Sequence, residues 1–384
     1  MPAALAFAPP PPSPEAEALR AEVREFLSRE LSARSAKARA SSWGGYDPGF
    51  SRKMGARGWI GMAWPKRYGG HERSALERYV VLEEMLAAGA PVGAHWTADR
   101  QSGPLILRFG SEAQRQHILP RIAAGDCYIC IGMSEPDTGS DLASVRTRAS
   151  ARDGGYVVNG TKVWTSNAHN AHYMILLCRT DAPDANDRHG GLSQFLVDLK
   201  TPGIHIRPIR NLAGEHHFNE VVFEDVVLPE DALIGRPGDG WRQVTSELAL
   251  ERSGPERFLS AFTLLVELVR ALGPQPSERA AVVLGRLTAH IVTLRRLSRS
   301  VAGMLQAGHD PAIQAALVKD LGTLLEQEIP ELARQVIAIE PSSKATEEFS
   351  AALAHTILHA PSFSIRGGTR EILRGMIARG LGLR

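Results

Sequence analysis

Cysteine is scarce in this chain: Cys127, Cys130 and Cys178 are the only three among 384 residues. So low and odd a count excludes a disulfide-stapled scaffold and suits a reducing compartment, so a cytoplasmic location is expected. Cys127 and Cys130 form a C-x-x-C, but they lie in CYICIG, which reads as a strand. Residues three apart on a strand point to opposite faces. No second pair is present to complete a zinc site, and the scattered histidines, His216-His217 included, show no metal-ligand spacing, so no metal is expected. The thiols read as small buried hydrophobes. An excess of charge of either sign is missing too. The formal net charge is +2, and no dense basic run marks a nucleic-acid surface. No apolar run approaches the roughly 20 residues that a membrane-spanning helix needs. The Gly-rich phosphate loops of the dinucleotide and P-loop types are absent.

What is present is an ordinary globular composition, long enough for two or three packed units. The opening MPAALAFAPPPPSP has no basic n-region, and prolines break its apolar run, so residues 1–14 read as a disordered leader. From 15 to 125 the pattern is helical, with Ser111 as an N-cap and Gly89, Pro91 and Gly125 as stops. From 126 to 236 short alternating runs separated by Gly, Asn and Asp clusters predict a small β-domain, sandwich or barrel. Helical periodicity returns over 237–384, with Pro274, Gly308-His309-Asp310-Pro311 and Pro341 as the corners of a bundle. Strands and helices do not alternate, so a doubly wound fold is not expected. The fold class is α+β multi-domain.

One stretch stands out. Val244, Leu248, Glu251, Pro255, Phe258, Phe262, Leu265 and Val269 form a single helical stripe, apolar except at Glu251. A carboxylate on a core-facing stripe loses hydration, which disfavours its charged form, and catalytic bases are often made this way. An ion pair with Arg252, or a stripe that turns to solvent, would account for it as well. Pro255 cannot donate to the carbonyl of Glu251, so a kink or a fresh start is expected between 251 and 255.

Two motifs lie in the β-region. SEPDTGSD, Ser134 to Asp141, joins hydroxyls, Gly139 and acids after a strand. Its glycine would admit a ligand close to the backbone, and Ser140 can donate to a phosphate; a capped turn explains the composition equally well. VNGTKVWTSNA holds an Asn-Gly pair that signals a hairpin, with Trp164 on the second strand, either in the core or stacked on a flat ligand.

Together with WPKRYGG, RFGSEAQRQHILPRIAAGD, FNEVVFEDVVLPEDALIG and IRGGTREILRGMIARGLGLR, these motifs resemble the acyl-CoA dehydrogenase family, in the family's order and from about Leu19 to Arg384. The resemblance implies an N-terminal α-helical domain, a middle β-domain and a C-terminal four-helix bundle, with FAD as cofactor. Ile131, Gly132, Met133, Ser134, Gly139 and Ser140 would line the flavin and pyrophosphate, Met133 and Ser134 at the isoalloxazine ring. Ser140 would also reach the CoA portion of the substrate. Trp164 would pack on the flavin beside Thr165, Ser166 would donate to it, and Thr369, Arg370 and Glu371 would contact it too.

The departures from the family pattern matter. Many members carry the catalytic Glu just before the Gly-Thr of the last motif; here that position is Gly367. A second class, typified by isovaleryl-CoA dehydrogenase, carries it in a segment like L-x-L-E-R. LALER places Glu251 there, with Leu248, Ala249 and Arg252 beside the substrate. Two segments that bind FAD across a subunit interface are replaced by ALGPQPSERAAV and RQVIAIEPSSKATEE, as in a subgroup that handles bulky acyl groups and includes α2β2 assemblies.

The activity implied is α,β-dehydrogenation of an acyl-CoA, of fatty or bulky acyl group, by at least a dimer. Electrons would pass to an electron-transfer flavoprotein. The alternatives are a non-catalytic or FAD-sharing subunit of a heteromer, and a flavin oxidase or monooxygenase on the same fold.

Overall fold

The computed structural model describes residues 6–8, 10–11, 13–182, 186–251, 254–342 and 344–383, with the backbone alone for 247–251. The first third of the chain is helical: α1 (Pro14–Glu30), α2 (Ala36–Ala40), α3 (Pro48–Ala56), α4 (Ala75–Ala87), α5 (Gly103–Phe109) and α6 (Glu112–Ala123). Strands follow: β1 (Ile129–Gly132), β2 (Arg148–Arg152), β3 (Gly155–Ser166), β4 (Tyr173–Arg179), β5 (Leu192–Asp198), β6 (Ile204–Arg210), β7 (His216–Pro229) and β8 (Leu233–Ile234). The rest is α7 (Gly240–Glu251), α8 (Phe262–Leu272), α9 (Glu278–Gln306), α10 (Ala312–Val336), α11 (Glu348–Phe363) and α12 (Arg370–Gly380). This is the helix–sheet–helix order read from the sequence. Among the described residues no helix is long and apolar enough to cross a membrane.

Local chemistry explains the helix starts. Ser13 caps α1 ahead of Pro14, whose missing N–H costs nothing at that position. Ser74–Glu77 and Ser111–Gln114 form reciprocal capping boxes at α4 and α6, which satisfy two orphan donors each. Gly89 and Gly125 take left-handed φ values of +75° and +77° just after α4 and α6.

Packing divides the chain into two compact units that interleave along the sequence: 1–46, 73–93 and 251–384 form one, 47–72 and 94–250 the other. In the first, α1 lies on α4, α4 on α9, α9 on α10, and α10 against α8, α11 and α12. Glu83 and Glu84 are buried there, and Arg20 bonds both of them. Arg295 grips Glu83 at 2.7 and 2.9 Å, which holds its carboxyl below the usual range although burial pushes the other way. Phe7, in the expected leader, packs against Val301, Ala315 and Val318.

The second unit is built on one eight-stranded mixed sheet in the order β6-β7-β3-β2-β4-β5-β8, with β1 parallel to β4. Its core draws Cys130, Val158, Met174, Phe195, Val221 and Phe223 from five strands. Val244 of α7 packs on Leu177 and Leu192 of that sheet. Cys130 is on β1, but Cys127 precedes it. All three cysteines are free and buried, and burial raises Cys127 to about 11 and Cys178 to about 12.

Two expectations fail here. Asn159-Gly160 is not a hairpin turn, because β3 runs straight through it and the turn to β2 lies at Asp153-Gly154. Gly160 marks a bulge against β7 instead, where a Cβ would come within 2.6 Å of Thr147 Oγ1. The stripe from Val244 to Val269 is not one helical face either. α7 ends at Glu251, a short 3-10 turn occupies Pro255–Arg257, and α8 starts afresh at Phe262 with Val269 49% exposed. Pro255, with no N–H to give, resets the helical phase.

Candidate active site

Ile131 and Gly132 end β1, paired with Ile175 and Leu176. A Cβ on Gly132 would lie 2.7 Å from Met174 Sδ, so packing demands that glycine. Met133 and Ser134 follow, half-buried, and a bond to each carbonyl ties them down. Val163 N–H donates to the Ser134 carbonyl at 2.9 Å. Lys162 Nζ donates to the Met133 carbonyl at 3.0 Å and to Glu135 Oε1 at 2.8 Å. Glu135 also accepts the Arg146 and Thr147 amides at 2.7 and 2.8 Å.

Lys162 is fully buried, and desolvation lowers its pKa. Burial would raise Glu135, but Lys162 and the two amides outweigh it and hold the carboxyl below the usual range. Glu135 and Thr138 then close a tight turn over Pro136-Asp137, leaving Gly139 and Ser140 exposed. Gly139 has no positive φ, and a Cβ there would meet nothing within 4 Å among the described residues. The chain's own packing does not call for that glycine.

The end of β3 is stranger. Trp164 is 60% exposed, its backbone is left-handed at φ +58°, and it touches Phe218 edge-on at 5.9 Å. The core placement of Trp164 is thus wrong. A register shift between Lys162 and Thr165 breaks the alternation, so Lys162 and Thr165 point inward and the indole outward. Thr165 is buried, yet its Oγ1 finds no hydrogen-bond partner among the described residues. Ser166 is half-buried and pairs with Phe218. Sequence reasoning does not reach Lys162 and Glu135; the available signal is a lysine in the middle of a strand, followed directly by Val163 and Trp164.

The other unit carries Thr369, Arg370 and Glu371. Thr369 caps α12, its hydroxyl accepting the Ile372 N–H at 3.5 Å, while Arg370 reaches Asp320 on α10 at 2.7 Å. Glu371 sits in the first turn, where its own backbone N–H and Thr369 lower its pKa. Arg366, just before, bonds Glu326 at 2.8 Å and Ser260 Oγ at 2.6 Å and lies over the Trp43 ring at 4.6 Å. Lys319 Nζ donates to the Gly368 carbonyl at 2.9 Å. Glu251 closes α7; its side chain, those of Leu248 and Ala249, and all of Arg252 lie outside the described residues.

The structure therefore brings the segment 131–134 and the segment 164–166 together in one unit. Their features fit a flat aromatic group: an outward indole on strained backbone beside the half-buried Met133, Ser134 and Ser166, and further along the same loop Gly139, a glycine that the chain's own packing does not call for. A flavin has that shape and chemistry.

Residues 13–126, 130–226 and 238–382 match the models of the acyl-CoA dehydrogenase N-terminal, middle and C-terminal domains. Acyl-CoA dehydrogenase FadE29 of Mycobacterium tuberculosis is 35% identical over 379 residues, covering 95% of this chain and 96% of that protein. Among solved structures, the Tcur3481-Tcur3483 steroid ACAD superposes with a TM-score of 0.85 at 28% identity, over 97% of this chain and 98% of that one. The ChsE4-ChsE5 complex from Mycobacterium tuberculosis gives 0.84 at 30% identity, over 97% and 99%.

Proposed function

The chain belongs to the acyl-CoA dehydrogenase family of oxidoreductases, and from that premise we propose that it dehydrogenates a bulky acyl-CoA thioester with FAD as cofactor and Glu251 as base. The observation that carries the cofactor assignment is Trp164, a large aromatic side chain held outward on a left-handed backbone. Trp164 supplies a stacking surface, and Met133, Ser134 and Ser166 line the ring beside it. FAD, when bound, supplies the acceptor for the β-hydride. Thr369, Arg370 and Glu371 are assigned to the same cofactor, and Gly139 and Ser140 to its pyrophosphate, Ser140 also to the CoA portion.

Glu251 takes the α-proton. That proton is far too weak an acid for a carboxylate in water, so the thioester oxygen needs hydrogen-bond donors placed before the reaction. A Glu251 carboxylate with little hydration narrows the remaining gap. Leu248, Ala249 and Arg252, on the same segment, are assigned to the substrate. Gly367 leaves the family's usual base position without a side chain, which gives room to a wide acyl group. The likeness to the Tcur3481-Tcur3483 steroid ACAD supports the same reading. Electrons leave to an electron-transfer flavoprotein in the cytoplasm.

The test is Glu251→Gln in anaerobic flavin bleaching with straight-chain and ring-bearing acyl-CoA substrates. FAD and substrate binding should survive while reduction falls by roughly 10²–10⁴-fold, the scale of general-base loss. Reduction at the wild-type rate would place the base elsewhere. A second reading, a chain that shares FAD within an α2β2 assembly, is favoured by the two replaced segments. They form the α8–α9 and α10–α11 connections and their flanks. Sedimentation of a fully active, FAD-loaded monomer would eliminate it.

A further inference from the structure

We propose that Asn219 is a positioning residue that, with His169 and His216, holds Trp164 in its left-handed conformation; its purpose toward the flavin rests on the cofactor reading above. Asn219 lies on β7 opposite Thr165 and is completely buried. Its Nδ2 donates to the Thr165 carbonyl at 3.0 Å, one residue past Trp164. Its Oδ1 faces His169 Nδ1 at 3.1 Å and His216 Nε2 at 2.7 Å.

The orientation of this amide follows from its surroundings. A carbonyl only accepts, so Nδ2 must be the atom that faces Thr165, and Oδ1 is left to accept from both imidazoles. His169 Nδ1 and His216 Nε2 therefore carry protons. Asn170 Nδ2 lies 2.9 Å from His169 Nε2 and donates to it, which fixes His169 as the neutral Nδ1–H tautomer. The two rings stack at 3.8 Å with planes 22° apart. Every atom from His169 Nδ1 through Asn219 to the Thr165 carbonyl then has one permitted role.

That chain meets the strand where support is needed. The register shift between Lys162 and Thr165 interrupts the β3–β7 ladder, and the amide of Asn219 bonds a carbonyl at the edge of that interruption. On the far side, Asn167, also left-handed at φ +55°, is fixed by its N–H to the His217 carbonyl at 2.9 Å. A bulky residue stays at positive φ only where its surroundings over-determine it. Here the bonds to the Thr165 carbonyl and from the Asn167 N–H flank Ser166 after Trp164, and the Val163 N–H, bonded to the Ser134 carbonyl at 2.9 Å, holds the strand before it.

The experiment labels the protein with 5-fluorotryptophan and assigns the Trp164 ¹⁹F resonance by its loss in Trp164→Phe. Asn219→Ala should move or broaden that resonance and leave the other tryptophans unchanged. Asn219→Asp, which has the same shape but no donor for Thr165, should do the same; a purely packing role would leave it silent. FAD titration of the apoprotein should show at least a ten-fold loss of affinity in Asn219→Ala. In a Trp164→Ala background the same substitution should change affinity less than two-fold.

An unmoved Trp164 resonance in both Asn219 variants overturns the proposal, and so do additive losses of FAD affinity. If wild-type apoprotein takes up no FAD, the reading in which this chain binds the cofactor by itself fails, and the resonance alone decides whether the clamp exists. Should Asn219→Ala not fold, His169→Ala removes one donor from the exposed side. It should produce a smaller shift of the same resonance, and no shift counts against the clamp.

Discussion

Gly367 and Gly368 stand at φ +66° and +97° in one compact unit; Trp164 and Asn167 stand at +58° and +55° in the other. Both segments precede or end an element assigned to the cofactor, and both leave the usual backbone regions. At 367–368 glycine makes the conformation nearly free, so the backbone alone explains the residue type. At 164 an indole occupies a conformation that costs about 1–3 kcal/mol for a bulky residue. Local geometry explains the first pair and counts against the second, so the reason for Trp164 lies in what it presents. Each segment is also pinned beside a buried ion pair, Arg366–Glu326 at 2.8 Å and Lys162–Glu135 at 2.8 Å.

The largest way to break this comparison is to remove one pin. Lys162→Met leaves Glu135 buried without its cation and should destabilise the sheet unit by about 3–5 kcal/mol in denaturant unfolding, with Glu135→Gln in the same chain restoring part of it. A loss under about 1 kcal/mol would mean that the pin carries no weight.

Acid should act on the same unit next. Burial lowers His95 to about 4, with Ser51 Oγ 2.8 Å from its Nδ1 and Asp99 opposing the shift. Its unfolded value is near 6.5, so the native state binds fewer protons. The stability it contributes is complete above about pH 6.5 and is lost as pH falls toward 4, up to about 3 kcal/mol. A pH series of melting temperatures on wild type and His95→Gln should show a larger drop between about pH 6.5 and 4 in the former, since Glu83 and Glu135 lose their share in both.

Gly367→Ala places a Cβ on a left-handed residue and should cost about 1–2 kcal/mol in thermal unfolding. The converse is the finest test. Trp164→Gly should melt higher than Trp164→Ala, by about 0.5–1 kcal/mol, because glycine relieves the strain that alanine keeps. If alanine is the more stable variant, φ at 164 is not strained.

The helix and strand pattern was readable because it is local: capping serines, stop glycines and alternating runs mark Ser74, Ser111, Gly125 and the strands themselves. The failures are all long-range. Nothing near Asn159-Gly160 announces that Thr147 packs against it, so a bulge looks like a turn. The outward turn of Trp164 depends on a register shift set by β7. Asn219 was invisible because an asparagine in FNEVVFEDVV reads as a solvent-facing residue until its partners are seen.

The three thiols have a practical consequence. Cys127, Cys130 and Cys178 are free, buried and held protonated by desolvation, so the thiolate that alkylating reagents attack is scarce at neutral pH. A single cysteine introduced on the surface would then be the one fast-reacting sulfur in the molecule. Spin labels or dye pairs can be attached, one position in each compact unit, without first stripping the native residues. Distances between the units, with and without cofactor, become measurable on the unaltered core.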